Sequence, residues 1–292
     1  MFRLAKRKPK RKQPSNVVPM IAVLFLIMLL VITSQTKTAS SQIHLAQASP
    51  IPEGGFQTSI MLGNAIPKLV ESGAIDIEKF KEVYGGTLTE EQTNLLTKPS
   101  TQPLALTKEN ERFILNVLWA LGIANKNPIL DESAKYDGIA NLASTGGWTL
   151  GKADAMTYFN KLEIVKLTPD QQTLVERVAD NVYRPCCDNP TAFPDCNHGA
   201  AMLALLELGA SQGLNEDELY TLALQANTLW FEGQYAATAT LLATEGKDYW
   251  GSARAVVSAK YSSGSGWFSN VYGPLQKQGL LPKSGSGGSC GA

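Results

Sequence analysis

From Gln57 onward the apolar residues recur at three- and four-residue intervals, the spacing of helices that turn one face to a core. In TSIMLGNAIPKLVESGA, Ile60, Leu62, Ile66, Leu69 and Val70 fall at such intervals, with Pro67 as a kink and Gly73 as a stop. IDIEKFKEVYGG reads as a second short helix ended by Gly85 and Gly86. The stretch from Thr107 to about Asn125 is the most apolar in the body. Phe113, Val117, Ala120, Leu121 and Ala124 mark one face and Ile114, Leu118 and Trp119 widen it, which predicts a central helix. Further helices are expected over about 151–162, 169–183, 198–211 and 216–231, with one or two more between 233 and 260. No run alternates with a period of two, so helix well above the average share and little strand are expected.

A helix-start signal recurs in LTEEQ (from Leu88), LTKEN (from Leu106), LTPDQ (from Leu167) and LNEDE (from Leu214). Each places a Thr or Asn cap before the acids of a first turn, where they meet the positive end of the helix dipole. Thr89 with Gln92, Thr168 with Gln171 and Asn215 with Glu218 have the spacing of a capping box, and Pro169 stands at the favoured first position. Between the helices, STGGWTLG (Ser144 to Gly151) reads as a turn anchored by a buried Trp148. No phosphate-binding glycine pattern accompanies it.

The N-terminus changes the picture. Residues 1–40 carry eight Lys and Arg and no acid, leaving 18 basic against 26 acidic side chains in the rest, a net of −8. An acidic body argues against nucleic acid as a partner. The basic run precedes an uncharged stretch, VVPMIAVLFLIMLLVI (residues 17–32). This predicts a basic cytoplasmic segment at 1–16 and a transmembrane anchor at 17–34, with a cleaved signal segment as the alternative. The charge asymmetry sets the body outside, in a single-pass cell-membrane topology. A Ser/Thr/Gln/Pro-rich linker at 35–56 follows, then an α-helical domain at 57–270 and a Gly/Ser-rich flexible tail at 271–292 that carries Cys290. The expected class is therefore mainly α: a single membrane anchor followed by an extracytoplasmic, bundle-like helical domain.

The chemistry is concentrated between Pro185 and His198. These fourteen residues hold Cys186, Cys187, Cys196, His198 and three prolines. Pro185 is expected to end the preceding helix, and Asp195 or Asn197 to cap the next. A thiolate at that helix start is stabilised by free N–H groups and the dipole. Soft ligands of this kind suit copper or zinc, with Cys186, Cys187, Cys196 and His198 as ligands. Met202 lies one turn beyond His198 on the same helix face and could join them, and Cys290 could be swung in by the tail. Asp188 and Asp195 are the nearest candidates to accept from the other ring nitrogen of a metal-bound His198. Two other readings stay open: a disulfide staple, in which a bridge between the adjacent Cys186 and Cys187 would be strained, and a redox-active pair at Cys186 and Cys187. Catalysis has little to draw on. No H-E-x-x-H or G-x-S-x-G occurs, His44 lies in the linker, and Glu207 is a lone acid in an apolar helix.

ANKNPIL (Ala124 to Leu130), STGGWTLG, YRPCCDNPTAFPDCNHG (Tyr183 to Gly199) and the terminal GGSCG (Gly287 to Gly291) together resemble a family of membrane-anchored exported bacterial proteins. The likeness covers most of the body from about Gly55 onward. It implies location and a shared cysteine pattern, and no activity. A fainter likeness is to exported proteins with a PCYCGC motif, whose C-x-C-x-C core this chain lacks.

These readings lead to a membrane-anchored, extracytoplasmic metal-binding protein that handles copper or zinc in delivery or sensing, with a protein partner for metal transfer. A disulfide-stapled interaction domain is the first alternative and a thiol–disulfide oxidoreductase the second. The topology predicts that protease added outside intact spheroplasts digests the body; protection until lysis would overturn it.

Overall fold

The computed structural model describes residues 49–281, and the expected anchor, linker start and Cys290 lie outside them. Of the described residues 54% are helical and 7% are in strands, as the expected mainly α class with little strand requires. Among the described residues no helix is long and apolar enough to cross a membrane.

The first element is a strand, β1 (Phe56–Gly63), where a helix was expected. Phe56, Thr58, Ile60 and Leu62 point inward and the residues between them outward, a period of two. It pairs antiparallel with β2 (Ser100–Leu106), Phe56 opposite Leu106 and Gly63 opposite Ser100. Pro103 lies in β2, tolerated because a two-stranded sheet has only edge strands. Helix α1 (Ala65–Ser72) begins only after the strand, so Pro67 falls in its first turn, where no N–H is missed and no kink results. Gly73 ends α1 in a left-handed conformation, as its position implies.

Short helices α2 (Ile77–Val83) and α3 (Glu90–Thr97) follow, α3 opened by the Thr89–Gln92 capping box. The boxes at Thr168–Gln171 and Asn215–Glu218 are likewise complete, opening α6 (Pro169–Ala179) and α8 (Glu216–Trp230). At LTKEN the reciprocal bonds between Thr107 and Asn110 form, but they close a turn. Helix α4 (Glu111–Ala124) starts after them.

Two helices are buried on every side. Helix α4 is buried from Phe113 through Ala124 and α7 (Asn197–Ser211) from Asn197 through Ala210. They lie against each other at Gly122, where a Cβ would run into the Ala200 carbonyl, so the close approach requires a residue with no side chain. Helix α6 and α8 also pack on α7. Between α4 and α6 the chain forms α5 (Pro128–Ser133) and two 3₁₀ turns, and the helix expected over 151–162 is reduced to the turn Ala155–Thr157. Trp148 is the buried anchor expected of its loop. Its Nε1 donates to the Ala74 carbonyl at 3.0 Å, and its ring meets Trp119 edge-on at 5.1 Å.

Helix α9 (Glu232–Thr244) and the short turns α10 (Ala253–Val256), α11 (Ala259–Ser262) and α12 (Gly264–Trp267) complete the body. A π-helical turn (Phe268–Tyr272) then leads into α13 (Gly273–Gln278), whose Leu275 is fully buried. The packed body therefore continues beyond residue 270, into what the Gly/Ser content alone marks as tail.

Inside this core stands one acid. Glu207, on α7, has no solvent exposure; its Oε1 accepts from Asn127 Nδ2 at 2.6 Å, and its Oε2 has no partner. Burial pushes its carboxyl up to about 8 from an ordinary 4.5, against the opposing effect of the Asn125 and Asn127 amides. The folded chain thus keeps this proton where the unfolded chain has lost it. Its contribution to stability is full below about pH 4.5 and is lost as the pH rises towards 8, by on the order of 3–5 kcal/mol. Urea denaturation across this range should show the decline, and Glu207→Gln should flatten it. An equal decline in both proteins would remove Glu207 as its source.

Candidate metal centre

The segment between α6 and α7 is built around Arg184. Helix α6 ends at Ala179, several residues before Pro185, so the proline does not terminate it as expected. The chain is held by backbone bonds from Tyr183 N–H to Val257 O and from Thr191 N–H to Val182 O, both 2.8 Å. Arg184 is wholly buried; its two terminal nitrogens find acceptors, while its Nε has none among the described residues. Nη1 donates to Thr191 Oγ1 at 3.2 Å, and Nη2 donates to Asp195 Oδ1 at 3.1 Å and to Cys187 Sγ at 3.2 Å. Burial works against the charge, but the sulfurs of Cys196, Cys187 and Cys186 and the Asp195 carboxylate outweigh it and raise the Arg184 pKa. Gly199 follows from this packing, since a Cβ there would stand 2.9 Å from Arg184 Nη2.

The cap of α7 is Cys196, not Asp195 or Asn197. Its backbone is extended and its Sγ accepts from Gly199 N–H at 3.4 Å. Asp195 instead faces backwards, with Oδ1 on Arg184 and Oδ2 accepting from Asn189 Nδ2 at 2.8 Å. Asp188 accepts from Ser265 N–H at 2.8 Å. Neither aspartate receives the His198 ring as expected. That ring is buried against Phe231 and Trp230, at centroid distances of 4.6 and 5.5 Å, and its Nδ1 has no partner among the described residues.

Three of the four expected thiols meet here, each partly buried and none bonded to another. Cys186 Sγ and Cys196 Sγ stand 3.7 Å apart. The donor atoms of Cys186, Cys196 and His198 all lie within 4.8 Å of one another, and so do those of Cys187, Asp195 and Cys196. Cys196 belongs to both groups and is the hub. Met202 is fully buried among the core residues of α7, and Cys290 lies outside the described residues.

The thiols are electrically unlike. Hydrogen bonds from Cys186 and Cys187 hold Cys196 well below the usual thiol range; burial opposes this, and Arg184 and the Gly199 N–H add to it. The same contacts with Cys187 and Cys196 push Cys186 well above that range. Cys187 is pushed up to about 11: its contact with Cys186 lowers it, but its contact with Cys196 and its burial prevail. Burial lowers His198 to about 4, a change that Cys196 opposes and Arg184 reinforces. The three sulfurs share their protons through mutual contacts, beside an imidazole that burial keeps from charging.

Sequence reasoning placed the cysteines and His198 together and missed Arg184. Its only sequence signal is its place directly before Pro185-Cys186-Cys187, a poor one because arginine is ordinarily a surface residue. No family model, no curated protein and no solved structure matches the chain.

Because Arg184 is the buried cation of this segment, Arg184→Met should leave the partly exposed Asp195 and Cys187 unpaired and cost about 2–4 kcal/mol. Arg184→Lys should recover little, since an ammonium cannot reach three acceptors in the guanidinium plane. Urea denaturation under reducing conditions measures both; a loss below ~1 kcal/mol for Arg184→Met would show that the pair is not structural.

Proposed function

We propose that the protein binds a soft metal ion, copper or zinc, at Cys186, Cys196 and His198. The observation that carries this is the convergence of two sulfurs and one imidazole within 4.8 Å, with the imidazole Nδ1 buried and unpartnered among the described residues. Two sulfurs and an imidazole brought within reach of one another at a helix start are a donor set that a soft cation satisfies. The low His198 pKa supports the same reading, because a ligand imidazole must be neutral. Two thiolates bound at about 2.3 Å to a tetrahedral ion stand about 3.8 Å apart, and the 3.7 Å between Cys186 and Cys196 is close to that.

The two metals use the remaining residues differently. Copper(I) accepts the three-donor set, whereas zinc calls for a fourth donor, which Cys187 beside Cys196 supplies. In this reading residues 17–34 hold the chain at the membrane, the body faces outward, and the metal passes to or from a protein partner. The basic segment before the apolar run supports the first two parts. The alternative, a disulfide-stapled domain, draws on the same 3.7 Å separation but makes no use of the imidazole beside the two sulfurs.

The imidazole separates the two, since a staple does not need it. Protein purified under reducing conditions should bind about one zinc or copper(I) ion per chain, measured by elemental analysis. Free metal at 100 times its dissociation constant should stabilise the fold by about 2.7 kcal/mol. His198→Ala should lose both the metal and the added stability while keeping its thiol count. Wild-type protein that takes up neither metal, with His198→Ala indistinguishable from it, would sink the proposal.

A further inference from the structure

We infer that Cys186 and Cys196 form a reversible disulfide within the folded chain, and that closing it expels the bound metal. The expulsion rests on the metal reading above; the pairing does not. The pairing follows from placement. Cys186 and Cys196 lie on the two arms of the loop that Arg184 draws together, with their sulfurs 3.7 Å apart. A bond of about 2.05 Å requires them to close by about 1.6 Å. Cys186 sits in irregular chain between α6 and α7, so the approach needs no helix to break. The redox pair expected from sequence was Cys186 with Cys187, but that bridge would close a strained ring between neighbouring residues. Cys187 is also engaged elsewhere, with Arg184 Nη2 donating to its Sγ at 3.2 Å and its own contact to Asp195 Oδ1 at 3.6 Å.

The step balances with a disulfide as oxidant. One thiolate of the pair attacks a sulfur of the external disulfide, forming a mixed disulfide and releasing one thiolate of the oxidant. The second cysteine, as its thiolate, attacks the protein sulfur of that mixed disulfide and releases the other half. With the metal bound both cysteines start as thiolates, so two protein thiolates are oxidised to the disulfide and one external disulfide is reduced to two thiolates. Where the second cysteine starts as a thiol, its proton passes to one of the released thiolates. The metal then loses its two paired sulfur donors and keeps the His198 imidazole, with Cys187 as well in the zinc case. Partial exposure of all three cysteines gives the oxidant access.

The test uses the full chain, with a parallel Cys290→Ser preparation so that pairing is read among the three cluster thiols. Protein equilibrated in buffers of oxidised and reduced glutathione is alkylated, digested and mapped by mass spectrometry, and zinc affinity is measured against a chromophoric chelator before and after oxidation. The expected result is a Cys186–Cys196 linkage, reversed by dithiothreitol, with a zinc affinity at least 100-fold weaker in the oxidised form. Cys187→Ser, checked for native circular dichroism, should form the same linkage. Linkage of Cys187 to either neighbour, or no linkage, overturns the pairing while zinc uptake by the reduced protein leaves the metal reading standing. A linked protein that binds zinc as tightly as the reduced one overturns the expulsion alone. If the linkage forms but the reduced protein takes up neither zinc nor copper(I), the expulsion and the metal reading fall together.

Discussion

The guanidinium of Arg184 is the constraint from which the candidate site follows. It cannot lose its proton, and it has no access to water, so the chain around it must provide acceptors. Thr191, Cys187 and Asp195 do so from one side of the loop to the other, and in doing so they fix where residues 184–196 run. Asp195, once turned towards Arg184, leaves the capping position of α7 to Cys196. The sulfur that results sits at the positive end of a helix, with a backbone N–H and a buried cation nearby. A single buried charge thus decides both the path of the loop and the character of its central thiol.

Helix α7 is the other fixed point, because it carries the site at one end and the buried Glu207 further along. Its burial on all sides needs α4 to come close, and Gly122 against Ala200 permits that. Segments distant in sequence are then tied to α7 or to its start. Ser144 N–H donates to the Asp195 carbonyl at 3.0 Å, while the Ser144 carbonyl accepts from Trp119 Nε1 on α4 at 2.6 Å. Asn127 reaches Glu207, and Gly264 N–H donates to the Cys187 carbonyl at 2.9 Å. The stretches ANKNPIL, STGGWTLG and YRPCCDNPTAFPDCNHG, which stand out in the sequence, are therefore neighbours around one helix.

How much of this could be read in advance depended on whether the signal was local. The capping boxes at Thr89, Thr168 and Asn215 are made by residues three apart, and all three formed as read. Strand β1 was missed because its pattern is inverted at two positions: Thr58 is polar and buried, while Met61 is apolar and 43% exposed. That pair of substitutions hides a period of two inside spacings that mimic a helix. The cluster of Cys186, Cys187, Cys196 and His198 was legible because it is crowded into fourteen residues. Its internal order was not, since Arg184, Asp195 and the His198 ring take partners fixed by the tertiary path and not by sequence distance.

The same order bears on how the three described thiols are used. A single Cys186–Cys196 staple makes no use of the imidazole beside it. In this site the third sulfur, Cys187, is held by Arg184 and lies with Asp195 and Cys196 inside 4.8 Å. On the far side His198 completes the group with Cys186 and Cys196. Cys196 is therefore shared between two sets of donors, with a fixed positive charge on one side and a neutral imidazole on the other. Three thiolates with Asp195 would carry four negative charges against the single positive charge of Arg184, an arrangement too costly to bury unless a cation enters with them. In the proposed metal-binding reading, full deprotonation and cation entry form a single coupled event, which a staple does not require.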